Sequence, residues 1–164
     1  MSWNARRILR EVADPERRQR ILRAFWRYAD PPAKVMATAQ LARSLHFRDE
    51  TIRRMPADKK AELLASRLGS SEFEPTFEAA LVQYHTHEAN EMMAAFLDRW
   101  HVPHVKGSIE GDDYKEPDAA AVREAVDALS SQYDHRDIAI YLASAGALMG
   151  WEGVWAVVEE MGTG

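Results

Sequence analysis

The chain contains no cysteine, which excludes disulfides, thiolate nucleophiles and Cys-ligated zinc from its chemistry. It also lacks a glycine-rich phosphate loop, a Gly-x-Ser-x-Gly nucleophile elbow, a dinucleotide fingerprint and a His-Glu-x-x-His pair. The function classes served by those motifs are thereby removed. The Glu-x-x-His pairs that hold two metal ions in a helical bundle are absent as well. No segment alternates apolar and polar residues over a strand's length, so nothing in the chain builds a large sheet. The N-terminal stretch MSWNARRILREV has no apolar core of signal-peptide length, and a cytoplasmic protein is expected.

Long apolar runs are also scarce. The longest, residues 138–158, carries a single charge, Glu152, and spaces Gly146 and Gly150 in the small-xxx-small manner of a membrane helix. Gly146, Gly150 and Gly153 would weaken one continuous helix, and Glu152 would be costly in lipid. The stretch is read as two core helices broken at Gly150, with no membrane partner.

What is present describes a globular protein. The 164 residues, 46% of them hydrophobic and 29% charged, suit one domain with a substantial core. The formal net charge of −5 conceals a division along the chain. Residues 1–60 hold 15 Lys and Arg against 7 Asp and Glu, whereas residues 61–164 hold 6 against 19. The basic helices of residues 3–29 are therefore expected to dock on acidic surface from the second part, within the subunit or across a dimer.

Helix signals follow one another closely. Asp14-Pro15-Glu16 and Asp30-Pro31-Pro32 each read as a capping acid followed by a helix-opening proline. Asp118 and Asp134 are expected to cap two further helices, and Gly150 to end the second. Residues 3–13 form an amphipathic helix with Trp3, Ile8, Leu9 and Val12 on one side, and the next helix turns Ile21, Leu22, Phe25 and Trp26 inward. In the third, the apolar positions are Val35, Met36, Ala39, Leu41 and Leu45. The fold class is all-α: a single compact domain of eight or nine mostly short helices around one long central helix.

That central helix is placed at residues 75–100, PTFEAALVQYHTHEANEMMAAFLDRW, the longest run without an internal Gly or Pro. Its apolar face holds Phe77, Leu81, Tyr84, Met92, Ala95 and Phe96, and Glu88 falls within it. Glu88 is therefore expected to be mostly buried, and burial of a carboxylate demands a partner. His85 lies one turn earlier, at the spacing that makes two helical side chains neighbours. The pair serves as a general base with its orienting carboxylate, as two metal ligands, or structurally, as a buried hydrogen-bonded pair or with Glu88 held by an Arg of the N-terminal helices. One core is expected to gather Trp26, Phe77, Leu81, Met92, Phe96, Ile138, Leu142 and Trp155.

The one long irregular connection, residues 101–117, follows (HVPHVKGSIEGDDYKEP). Loops of this length are often functional or mobile, and Val102, Val105 and Ile109 admit a short extended pairing. His101 and His104 flank Pro103 at its start, and on a continuous helix Glu88 would stand about 20 Å from His101. The candidate ligand-binding residues are thus His85, Glu88, His101 and His104, with no metal site, no cofactor and no catalytic residue expected. Three functions remain. The first is a non-catalytic helical protein acting by protein interaction or self-association. The second is a small-ligand binder or enzyme using His85 and Glu88 under a lid from the long loop. The third is nucleic-acid binding through the N-terminal arginines.

Overall fold

Short polar side chains set half of the α-helix starts. In the computed structural model, which describes residues 3–162, Asn4 accepts the Arg7 amide at 2.9 Å and opens α1 (Ala5–Arg7). The chain continues directly into a π-helical turn at Ile8–Val12. Asp14 accepts the Arg17 amide at 2.7 Å and starts α2 (Pro15–Tyr28). Asp30 accepts the Ala33 amide at 3.0 Å and starts α3 (Pro31–Leu45). Short α4 (Asp49–Arg53) and α5 (Ala57–Ala65) follow, and a 3-10 turn at Ser71–Phe73 leads into α6 (Glu74–Glu88). After α7 (Asn90–Arg99) come two-residue strands β1 (His104–Val105) and β2 (Ser108–Ile109). Asp118 accepts the Ala121 amide at 2.8 Å to start α8 (Ala119–Leu129), and Asp134 the Arg136 amide at 2.9 Å to start α9 (His135–Met149). The last helix is α10 (Val154–Met161). Each aspartate stabilises its helix by roughly 1 kcal/mol through an otherwise unpaired amide and the helix dipole.

Helix α2 is the hub, packing along α6 on one side and α5 on the other. Helices α8, α9 and α10 form a second group, joined to the first through α6 and the π-helical turn. A single hydrophobic core runs through both. It contains Trp26, Phe77, Leu81, Met92, Phe96, Ile138 and Leu142 as buried residues, with Trp155 half-buried against it. Gly146 lets α10 lie close on α9: a Cβ there would overlap the Trp155 ring. Gly150 ends α9 at φ 74°, and among the described residues no helix is long and apolar enough to cross a membrane.

Two expectations are corrected. The central helix is not continuous. Ala89 takes φ −127° and ψ 22°, and its amide bonds back to Tyr84 O at 3.2 Å, one residue beyond α-helical register. The inward face of α7 (Met92, Met93, Phe96, Leu97) is rotated from that of α6 by about one residue's turn, roughly 100°. Val35 and Met36 are the second correction. They are 68% and 62% exposed, and α3 instead buries Ala37, Thr38, Leu41 and Ala42.

The charge division meets inside the chain as expected. Arg17 bonds Asp14 at 2.7 Å, Asp134 at 2.9 Å and Asp137 at 2.7 Å, tying the start of α2 to the start of α9. These carboxylates, the hydrogen bond to Asp137 foremost, hold the Arg17 guanidinium above its ordinary range. The hydrogen bond from the Arg17 amide leads the causes that lower the Asp14 carboxyl. Arg6 pairs with Glu74 at 3.3 Å, and Glu74 also accepts the Ala5 amide at 2.6 Å.

Leu81 is fully buried at the meeting of both helix groups. Replacing it by Ala is expected to cost about 2–5 kcal/mol in urea unfolding, as for large-to-small changes in a packed core. A loss below about 1 kcal/mol would place the inward face of α6 elsewhere.

Candidate functional site: a histidine-floored cleft

Helix α6 places Leu81 and His85 one turn apart, so the imidazole folds back onto its own helix. His85 Nδ1 lies 2.8 Å from Leu81 O. A carbonyl only accepts, so Nδ1 carries the proton. His85 is 5% exposed, and burial pushes its pKa down to about 4. The ring is therefore neutral at pH 7, with a bare Nε2. That nitrogen is buried and has no hydrogen-bond partner. Tyr84 meets the ring edge-on at 5.2 Å, and Tyr141 lies tilted against it at 5.7 Å. Burial raises the Tyr141 hydroxyl, which stays protonated.

The ring forms part of the wall of a cleft of about 250 Å³ between α6, α7, α9 and the β-hairpin. Leu81, Val82 and Thr86 come from α6, Met93 and Leu97 from α7, and Tyr141, Ser144, Ala145, Leu148 and Met149 from α9. Gly107, Ser108 and Ile109 close it from the long connection. The lining is mainly aliphatic, with few polar groups. Ser144 donates its hydroxyl to Ile140 O at 2.7 Å and is already satisfied. The Nε2 of His85 is thus the fully buried polar atom among the lining residues that has no partner.

The hairpin owes its position to His104. The Gly107 amide donates to His104 Nδ1 at 3.0 Å, which leaves the proton on Nε2 to be donated to Asp98 at 2.6 Å. The imidazole thereby fastens the turn to α7. Lys106 at φ 51° and Gly107 at φ 89° are the two left-handed residues of a two-residue hairpin turn, with His104 opposite Ile109 and Val105 opposite Ser108. Gly107 is required twice over, because a Cβ on it would stand 2.9 Å from Asn90 O and 3.1 Å from the Met93 Cβ.

Of the four candidates, then, His85 lines the cleft and His104 holds one of its walls. Glu88 does neither. It is exposed at the end of α6, contrary to the burial expected of it, because the break at Ala89 ends the helix before the apolar face resumes. His85 hydrogen-bonds to Leu81 O and its Nε2 has no partner, so neither the structural nor the catalytic version of a His85–Glu88 pair is built. His101 is exposed at φ 56° and takes no part in the lining. Among the described residues, no three His, Asp or Glu side chains gather in a metal-binding group.

Sequence reasoning passed over Tyr141, Ser144, Met93 and Gly107. Ser144 and Ala145 belong to the stretch read as two core helices, and the space beside them is part of the cleft. Lys106-Gly107 was legible as a hairpin turn between Val105 and Ile109. Comparison with known proteins adds nothing to this geometry: no family model, curated protein or solved structure matches the chain.

Two outcomes are expected here. Gly107→Ala should cost about 1–2 kcal/mol from the left-handed backbone alone. It should also speed hydrogen exchange at the Glu110 amide, which bonds Pro103 O at 3.0 Å; unchanged exchange would mean that the hairpin does not depend on this contact. The second concerns pH. Unfolded His85 gains its proton near pH 6.5, whereas folded His85 gains it near 4. Between these values the unfolded state binds the extra proton, so stability falls as pH falls. The contribution reaches about 3 kcal/mol by pH 4. His85→Gln should flatten the pH dependence of urea-unfolding free energy between pH 6.5 and 4, and an identical slope would refute a buried neutral His85.

Proposed function

We propose that the chain binds a small, largely apolar molecule that donates one hydrogen bond to His85 Nε2. The observation that carries this role is the unpartnered acceptor on a 5% exposed imidazole in the wall of an aliphatic cleft. A buried acceptor without a donor costs about 1–3 kcal/mol, which a ligand's hydroxyl or N–H recovers on binding. Sites of this kind combine apolar walls with a few placed polar groups. Nε2 exposes under 1 Å², so a donor reaches it as neighbouring side chains yield. Met93 and Met149 supply flexible, unbranched side chains in the lining. Binding is favoured over catalysis because no nucleophile or carboxylate among the described residues hydrogen-bonds to His85.

The two other functions lose their main support. Protein interaction or self-association rested on the charge division and on the absence of catalytic motifs, and Arg6 and Arg17 absorb part of that division by pairing with carboxylates across it. Nucleic-acid binding rested on the N-terminal arginines. Arg17 and Arg23 are held by carboxylates, and Arg18 donates to the Leu9, Arg10 and Ala13 carbonyls.

A matched pair of probes tests the role. 1-Naphthol carries the donor, and 1-methoxynaphthalene keeps the ring system but lacks it. In calorimetric titration the naphthol should bind at least about tenfold tighter, the equivalent of 1.4 kcal/mol. His85→Phe should remove that preference while keeping a cooperative unfolding transition. Equal affinities for the two probes, or a preference that survives His85→Phe, would contradict the proposal.

A further inference from the structure

A second concavity, of about 370 Å³, shares no lining residue with the His85 cleft. It opens between α2, α3, α4 and α5, around Trp26, Lys34, Val35, Asp49, Arg53 and Lys60. We propose that it is a binding site for a phosphate monoester carrying a small apolar group.

Charge is the first ground. Three cations face one carboxylate across the opening, a surplus of two positive charges. A phosphate monoester carries about −1.5 to −2 at pH 7. The nearby acids are engaged elsewhere: Asp58 with Arg23 at 3.1 Å, Glu62 with Lys59 at 3.3 Å, and Glu50 with Arg54 at 2.7 Å. Arg53 reaches Glu50 only at 3.9 Å, and among the described residues no carboxylate forms an ion pair with Lys34 or Lys60. Burial, and then the Lys34 ammonium, hold the Lys60 ammonium below its ordinary range. Two ammonium groups left facing each other in this way are relieved by an anion between them.

The second ground is independent of charge. The indole Nε1 of Trp26 can only donate, and it is buried without a partner on a side chain 5% exposed. Buried donors are almost always paired, and a phosphoryl oxygen meets this one. Lys60 Nζ stands over the face of the Trp26 ring, 4.7 Å from its centroid, so the indole and the ammonium line the same concavity. Val35 explains the apolar part of the ligand. It is 68% exposed at the rim, and a ring or alkyl group laid on it leaves water.

Phenyl phosphate is the probe, titrated by calorimetry and followed through its ³¹P resonance. Saturable binding is expected at submillimolar concentration, tighter than for inorganic phosphate or benzyl alcohol alone. The double substitution Lys34→Met, Lys60→Met should weaken it at least about tenfold, while urea unfolding remains cooperative. Trp26→Phe, which keeps an aromatic ring and removes the donor, should weaken it several-fold. His85→Phe should leave it unchanged, which separates this site from the cleft. The proposal is overturned by the absence of saturation below about 10 mM, by affinity equal to that of inorganic phosphate, by affinity indifferent to the two lysines, or by loss of binding in His85→Phe.

Discussion

A single misregistered turn, in which the Ala89 amide bonds to Tyr84 O rather than to His85 O, decides what the middle of this chain can do. An unbroken helix over residues 75–100 would carry Glu88 into the core and keep Met93 and Leu97 off its inward face. The break releases Glu88 to solvent and turns Met93 and Leu97 inward. Both residues line the cleft beside His85. The same turn gives the hairpin its seat, since the Gly107 backbone lies against Asn90 and Met93, the residues just past the break. Local irregularity at one residue is thus what separates a solid helical core from one with a cleft in it.

Charge plays a supporting part. The Arg17 cluster joins the start of α2 to the start of α9 at a side-chain exposure of 19%, where ion pairs are less screened than on an open surface. Arg99 pairs with Glu124 to join α7 to α8, and Arg123 with Glu160 at 2.5 Å to join α8 to α10. The latter pair is solvent-exposed, and such contacts orient helices more than they stabilise them. The basic first part of the chain meets the acidic second part through Arg6, Arg17, Arg43 and Lys59. Lys34 and Lys60, left out of these pairs, are the more informative cations.

Much of the fold was legible because its cues are local. Asp14, Asp30, Asp118 and Asp134 cap helices as their sequence contexts imply, and Gly150 ends α9. The core positions of α2 and α6 follow from helical spacing alone. The break at Ala89 was not legible, since Glu88-Ala89-Asn90 contains no Gly or Pro and each residue tolerates a helix. Glu88 was misplaced for that reason alone. Val35 and Met36 were misassigned because periodicity cannot tell which of two apolar stripes on α3 finds a neighbour. His85 was singled out on spacing, but for a partnership with Glu88 that the fold does not make. Its real partner, the Leu81 carbonyl, is backbone and invisible to side-chain motifs. The wall opposite, from Tyr141 to Met149, lies more than 50 residues further on, and only tertiary packing unites the two.

Everything proposed for the cleft depends on the state of one imidazole. Two-bond ¹⁵N–¹H correlation spectra of the His85 ring report which nitrogen is protonated and where the ring titrates. The structure requires a neutral ring with its proton on Nδ1 and a bare Nε2, unchanged from pH 8 down to the neighbourhood of its pKa of about 4. A ring protonated on Nε2 at neutral pH, or one titrating near the ordinary value of about 6.5, would contradict the account.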